Sequence, residues 1–323
     1  MTTAMPERWR TWALDYGIYA VFILLLAVLW QLSPYFLTAS NLLNIGSQVS
    51  MIAVVAIGMT MVILMAEIDL SVGSVAALAG AITAGLIHSE PNGWPVWLWL
   101  TISISAGMAV GFSAGLVNGL FIVWGGIPSF IVTLGALSIG RGLVLLYTGG
   151  RPIFGFGDAF ANISWGHVGP VPLPIVIMLC LYLLAWLFLR DTQLGRYIYA
   201  IGANKEAVDL AGINYRVIKV GIFALAGTFS GLAGIMLASR LDSAQPTAAI
   251  GWELDVIAAV VLGGASLYGG RGSVAKTLVG AFILQLISNG LNLLEVQAYW
   301  QQIAKGSIIL IALLIERILR GRR

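Results

Sequence analysis

Charge is what this sequence has least of. Of its 323 residues only 10% are Asp, Glu, Lys or Arg, while 59% are hydrophobic. Soluble domains carry about 25% charged residues, so a water-soluble fold of this length could not cover its own surface. Cysteine is nearly absent too. Cys180 stands alone in an apolar run, which excludes a disulfide or thiolate metal site and leaves plain packing as its reading. The two histidines, His88 and His167, fall in separate loop segments without ligand-like spacing and read as surface residues. A membrane enzyme would need a metal cluster or a nucleophile–base pair, and neither pattern is present.

What the chain does have is long apolar runs, about ten of them, set against the roughly 20 residues that span a bilayer. They are Tyr16–Leu32, Val49–Ala66, Leu70–Ile87, Trp97–Trp124, Pro128–Tyr147, Pro172–Leu189, Val217–Ser239, the short Val256–Leu267, Leu278–Leu294 and Ile303–Leu319. Backbone groups cannot stay unpaired in lipid and no period-two barrel pattern appears, so the runs predict helices. The expected fold class is all-α: a polytopic integral membrane protein in which residues 1–323 form a single transmembrane domain. The basic N-terminal stretch, with no small-residue cleavage site after the first run, reads as a retained helix.

Positive charges orient such a chain. Arg8, Arg10, the stretch 190–219, Arg271, Lys276 and the C-terminal arginines fall on one side if both termini are cytoplasmic; Arg151 and Arg240 are exceptions. Trp94, Trp97, Trp99, Tyr299 and Trp300 read as interfacial anchors, and Lys305 as a snorkelling cation. A faint internal echo pairs Glu67-Ile68-Asp69-Leu70 with Glu253-Leu254-Asp255-Val256, Asn118-Gly119-Leu120 with Asn289-Gly290-Leu291, and, more weakly, Arg141-Gly142 with Lys305-Gly306. If spans 2–5 and 7–10 correspond, the second set starts from the opposite face, giving the inverted repeat of alternating-access transporters.

Polar residues inside apolar runs are the candidates for a translocation path or gate. Glu67 and Asp69 are expensive near a membrane core, and three roles stay open: capping the next helix with Ser71, contacting a polar substrate in a gated path, or relaying protons. The last is the mark of a proton-coupled secondary transporter, the alternative reading. Asn118, Asn289 and Asn292 can bond across helices or meet sugar hydroxyls, and Gln285 is similar. The glycine rows Gly111–Gly115–Gly119 and Gly227–Gly231 mean tight helix packing. Gly270–Thr277 is nearly a phosphate-binding loop, but Ala275 stands where Gly is needed before Lys276, and the stretch joins two spans. The chain therefore shows no nucleotide site of its own.

The polar stretch 190–219 is the anomaly, a cytoplasmic loop between the two halves. Asn204 is placed to cap a short helix, Glu206 lies in its first turn, and Gly212 follows as a C-terminal cap. Ala207, Val208, Leu210 and Ala211 offer it a small apolar face, which suits a groove on a partner.

Taken together, Glu67–Ala81, Ala114–Val123, Ile127–Gly150, Gly195–Ile213 and Glu253–Ser273 resemble the permease subunits of ribose-type sugar ABC importers, a group that also handles xylose, arabinose and galactosides. The resemblance runs from about Asn41 to the end. It implies a bacterial inner-membrane protein that is not itself an enzyme, paired with a second permease chain, like or unlike. Cytoplasmic ABC ATPases carrying ATP and Mg²⁺ would bind beneath, and a periplasmic sugar-binding protein would dock above. Membrane lipid surrounds such a chain, nucleic acid has no part, and this chain holds no cofactor. It further implies that Asn204, Lys205, Glu206, Ala207, Asp209 and Gly212 form the ATPase-coupling turn, with Val208 departing from the usual Ala.

Overall fold

The computed structural model describes residues 7–89 and 93–320, and among these the chain is nearly all helix. In order these are α1 (Glu7–Leu32), α2 (Ala39–Leu64), α3 (Val72–His88), α4 (Val96–Val123), α5 (Ser129–Thr148), α6 (Asp158–Trp165), α7 (Leu173–Asp191), α8 (Gln193–Ala203), α9 (Lys205–Leu210), α10 (Tyr215–Leu241), α11 (Trp252–Leu262), α12 (Val274–Leu293) and α13 (Ala298–Arg320). Six of them, α2, α4, α5, α7, α10 and α12, are long and apolar enough to cross a membrane; Tyr16–Leu32 of α1 and α3 are shorter apolar helices. Pro95, Pro128 and Pro172 stand immediately before α4, α5 and α7, where a missing amide costs the helix nothing.

α2 carries the core. From Ile45 to Leu64 nearly every side chain is buried, as expected of a helix apolar on all sides. α10 packs against it, and Gly58 approaches so closely that an added Cβ would lie 2.6 Å from the Ala226 Cα. The neighbours of these two helices are exchanged. α3 and α4, which follow α2, pack on α10, whereas α11 and α12, which follow α10, pack on α2. α5 then rests on α3 and α13 on α11. The two glycine rows meet each other: a Cβ on Gly111 would run into the Gly227 carbonyl, and one on Gly227 into the Gly111 carbonyl. Each row alone signals close packing, but that they pair is a tertiary fact.

Two of the helices in runs expected to cross the membrane are too short to span it. At 1.5 Å per residue, α3 is about 25 Å long and α11 about 16 Å, against a hydrocarbon core of about 30 Å. The eighth segment, Val256–Leu267, expected to be short and open to a broken or re-entrant reading, differs in its bounds. Its helix runs Trp252–Leu262, and the chain leaves it through Gly263 and Gly264, the latter at φ +81°. The starts of the two short helices meet inside the protein, where a Cβ on Gly73 of α3 would lie 2.9 Å from Glu253 Oε2 of α11. Irregular backbone at such depth is tolerated only when protein covers it.

The Gly- and Pro-rich stretch after α5 is more ordered than its composition suggests. Strand β1 (Ile153–Phe154) pairs antiparallel with β4 (Ser243–Ala244), and β2 (His167–Val168) with β3 (Val171–Pro172). Between β1 and β2, α6 is clamped onto the end of α10: Ser239 Oγ donates to the Phe160 carbonyl and Ser164 Oγ to that of Met236, both at 2.7 Å. The 190–219 stretch is likewise not a loop throughout. α7 continues to Asp191, α8 fills Gln193–Ala203, and α10 already starts at Tyr215, so Arg216 and Lys219 belong to a long helix.

Candidate functional site

Below the C-terminal end of α2 the chain builds a compact platform. α8 begins with Thr192, whose hydroxyl accepts the Gly195 amide at 3.0 Å, and it buries Gly195, Ile198 and Ile201. Gly202 leaves no room for a side chain against the Leu64 carbonyl and the Gly270 amide, and that amide donates to the same carbonyl at 2.8 Å. The near-phosphate loop thus spends its Gly270 amide on α2, and Tyr199 Oη donates to its Gly272 carbonyl at 3.1 Å.

α9 hangs from this platform. Asn204 Oδ1 accepts the Ala207 amide at 3.0 Å, and Glu206 stands in the first turn. At the far end the Gly212 amide donates to Asp209 O at 2.9 Å and the Ile213 amide to Val208 O at 3.2 Å, with Gly212 at φ +75°. This is the left-handed exit that glycine permits without strain. Lys205 Nζ lies 4.6 Å from the centre of the Tyr215 ring, clasping the start of α9 to that of α10. The apolar residues divide: Val208 is buried, whereas Leu210 is 90% exposed.

Above the platform lies a second cluster, the turn between α2 and α3. Ala66 sits at φ +60°, and the chain then runs without helix or strand to Ser71. Asp69 is buried, with Oδ1 accepting both the Ser71 amide at 2.8 Å and the Ser71 hydroxyl at 2.6 Å. Asn118 Nδ2 of α4 donates to Ser71 Oγ at 2.9 Å. The Ile68 amide donates to Ser129 Oγ at 3.2 Å, and Thr133 Oγ1 to the Ile68 carbonyl at 3.3 Å, which fastens the turn to α5. Glu67 forms an ion pair with Lys219 of α10. Ser71 makes no side-chain cap of its own.

Asn289 lies elsewhere. It exchanges amide hydrogen bonds with Asn41, at 2.9 and 3.1 Å, near the N-terminus of α2. Twenty-three residues of helix separate Asn41 from Leu64, which puts this pair about 35 Å from the 66–71 turn. Asn292 Oδ1 accepts Gln301 Nε2 at 2.8 Å, joining α12 to α13, and Gln285 donates to Gln48 at 2.7 Å. Glu67, Asp69, Ser71 and Asn118 therefore form one cluster, and Asn289 and Asn292 do not join it.

Lys305 requires a correction. It does not reach for a headgroup but pairs with Asp255 Oδ2 at 3.2 Å, beside a small cavity also lined by Gln285 and Ser288. Arg141, noted in the sequence only as a weak repeat match, donates Nη1 to the carbonyls of Pro246 and Ala248 at 2.7 and 2.8 Å, just before α11. An arginine within an apolar helix is itself the signal that could have found it. Among the described residues no group of three His, Cys, Asp or Glu is placed to hold a metal ion.

Residues 41–313 match the profile of a family described as branched-chain amino acid transport system / permease component. The chain belongs to this permease family. The permease is 46% identical over 309 residues to a ribose import permease protein of Haemophilus influenzae, covering 94% of each chain. It is 43% identical to the Escherichia coli ribose import permease protein, covering 95% of each. A D-allose transport system permease protein of Escherichia coli is 34% identical, over 94% of the permease and 92% of that relative. No significant match to a solved structure is found. The permease is accordingly a subunit of the ribose-type sugar ABC importer group and a multi-pass protein of the bacterial inner membrane.

Proposed function

We propose that the permease moves a monosaccharide, D-ribose being the first candidate, into the cell by alternating access, driven by ATP hydrolysed on separate cytoplasmic ATPase subunits. The observation that carries the coupling reading is α9: a turn capped at both ends, anchored by Val208 and presenting a bare Leu210. An exposed leucine on a preformed helix suits a groove in a partner. Asn204, Lys205, Glu206, Ala207, Asp209 and Gly212 build and hold that turn. ATP and Mg²⁺ belong to the partner, sugar arrives on a periplasmic binding protein, and a second permease chain completes the membrane unit.

The exchanged packing of α3 and α4 on α10 and of α11 and α12 on α2 supports an inverted repeat of α2–α5 and α10–α13. With α1 and α7 added, the arrangement comes to about ten membrane segments with both termini inside, two of them interrupted helices. The turn at Glu67, Asp69, Ser71 and Asn118 then stands at the start of one interrupted helix, and we assign it to the gate. The internal bonds of both carboxylates favour this over a proton relay.

Uptake of radiolabelled D-ribose by proteoliposomes holding the permease, its co-purifying ATPase and the binding protein tests the reading. Uptake should require ATP, survive a protonophore and exceed that of D-allose, L-arabinose and D-galactose. Uptake by the permease alone, abolished by the protonophore, would refute it.

A further inference from the structure

We propose that Glu67 and Lys219 are a positioning pair that carries movement of the α9 turn to the start of α3. The inference rests on the docking role proposed for α9. Lys219 is the fifth residue of α10, and only Ala211–Asn214 separate that helix from α9. Its ammonium points away from water: the Lys219 side chain is 8% exposed and that of Glu67 16%. By contrast, Arg190 and Asp191 pair at 3.5 Å with most of both side chains in solvent, and Lys305 and Asp255 are over a quarter exposed. A charge buried this far is tolerable only with its counter-charge in place, so the two residues move together or not at all.

Each side of the pair is tied to a different part of the machine. On the lower side, Lys205 of α9 clasps the Tyr215 ring, and Tyr215 precedes Lys219 by four residues, on the same face of α10. Asn214 Oδ1 accepts the Val217 amide at 3.4 Å and stiffens this first turn. On the upper side, Glu67 adjoins Ile68, whose amide and carbonyl are held by Ser129 and Thr133 of α5, and leads through Asp69 to Ser71 and Asn118. A shift of the first turn of α10 thus reaches α3, α4 and α5 at one point. The turn's left-handed Ala66 and the irregular residues after it are the backbone that can take up the rotation.

The test uses the full complex in proteoliposomes with D-ribose, comparing wild type, Glu67→Gln, Lys219→Met, the charge swap Glu67→Lys/Lys219→Glu, and Leu210→Glu. Binding of the ATPase, ATP hydrolysis and ribose taken up per ATP are each measured. The single neutral variants should bind and hydrolyse like wild type yet lose at least tenfold in uptake per ATP, and the swap should restore a substantial part of it. An unchanged ratio in both single variants, with ATPase binding lost in Leu210→Glu, overturns the positioning role alone. Binding, hydrolysis and uptake falling together, without rescue by the swap, also overturns it, since that is the signature of a purely structural pair. Intact ATPase binding in Leu210→Glu overturns the docking reading, and this inference with it.

Discussion

Six residues cannot sustain a helix in water, because the cost of nucleation exceeds what so few hydrogen bonds return. α9 exists because its two ends are held, and removing those ends should melt it while leaving the membrane core intact. Asn204→Ala removes the acceptor of the Ala207 amide, a loss of about 1 kcal/mol for a cap of this type. Gly212→Ala forces a side chain into φ +75°, at about 1–2 kcal/mol. The sites lie at opposite ends of the turn and share no hydrogen bond, so the double variant should lose about 2–3 kcal/mol of local stability. At a factor of ten per 1.4 kcal/mol, that raises the open population roughly 30- to 150-fold. Hydrogen exchange at the Ala207–Ile213 amides should accelerate by that factor, with exchange in α2 and α10 unchanged. ATP-driven ribose uptake should fall as the open population rises. Unchanged exchange would refute the capping argument. Accelerated exchange with full uptake would refute α9 as the docking element.

Two further outcomes follow from the packing. Gly111→Val, whose Cβ would meet the Gly227 carbonyl, should lower the melting temperature in detergent by an amount corresponding to about 1–3 kcal/mol, whereas Gly142→Ala, with open space beside it in the interior of α5, should not lower it. Asn289→Leu leaves Asn41 Oδ1 without its donor, while Asn41 Nδ2 keeps the Phe36 carbonyl at 2.9 Å, and should destabilise by about 1 kcal/mol, read from the same melting curves; the double Asn41→Leu/Asn289→Leu should not recover this, because it also strips the Phe36 carbonyl of that donor.

Local chemistry was legible in the sequence wherever the information lay within a few residues. The capping bonds of α9 span only three to five residues, so Asn204 and Gly212 announce the turn without any partner in view. The glycine rows announce close packing because small size is an intrinsic property. α8 escaped notice because its polar neighbours masked an apolar face of only Gly195, Ile198 and Ile201.

The sequence by itself determined the class of this protein: too little charge to face water, runs long enough to cross lipid, and a capped polar turn between them. Only the tertiary structure decided which charge meets which. Glu67 and Lys219 stand 152 positions apart, and Asp255 and Lys305 fifty. A carboxylate in an apolar setting demands a counter-charge, but the demand carries no address. The exchange of α3 and α4 with α11 and α12 across the two central helices supplies it, and the same exchange separates Asn289 from the turn that Asn118 joins.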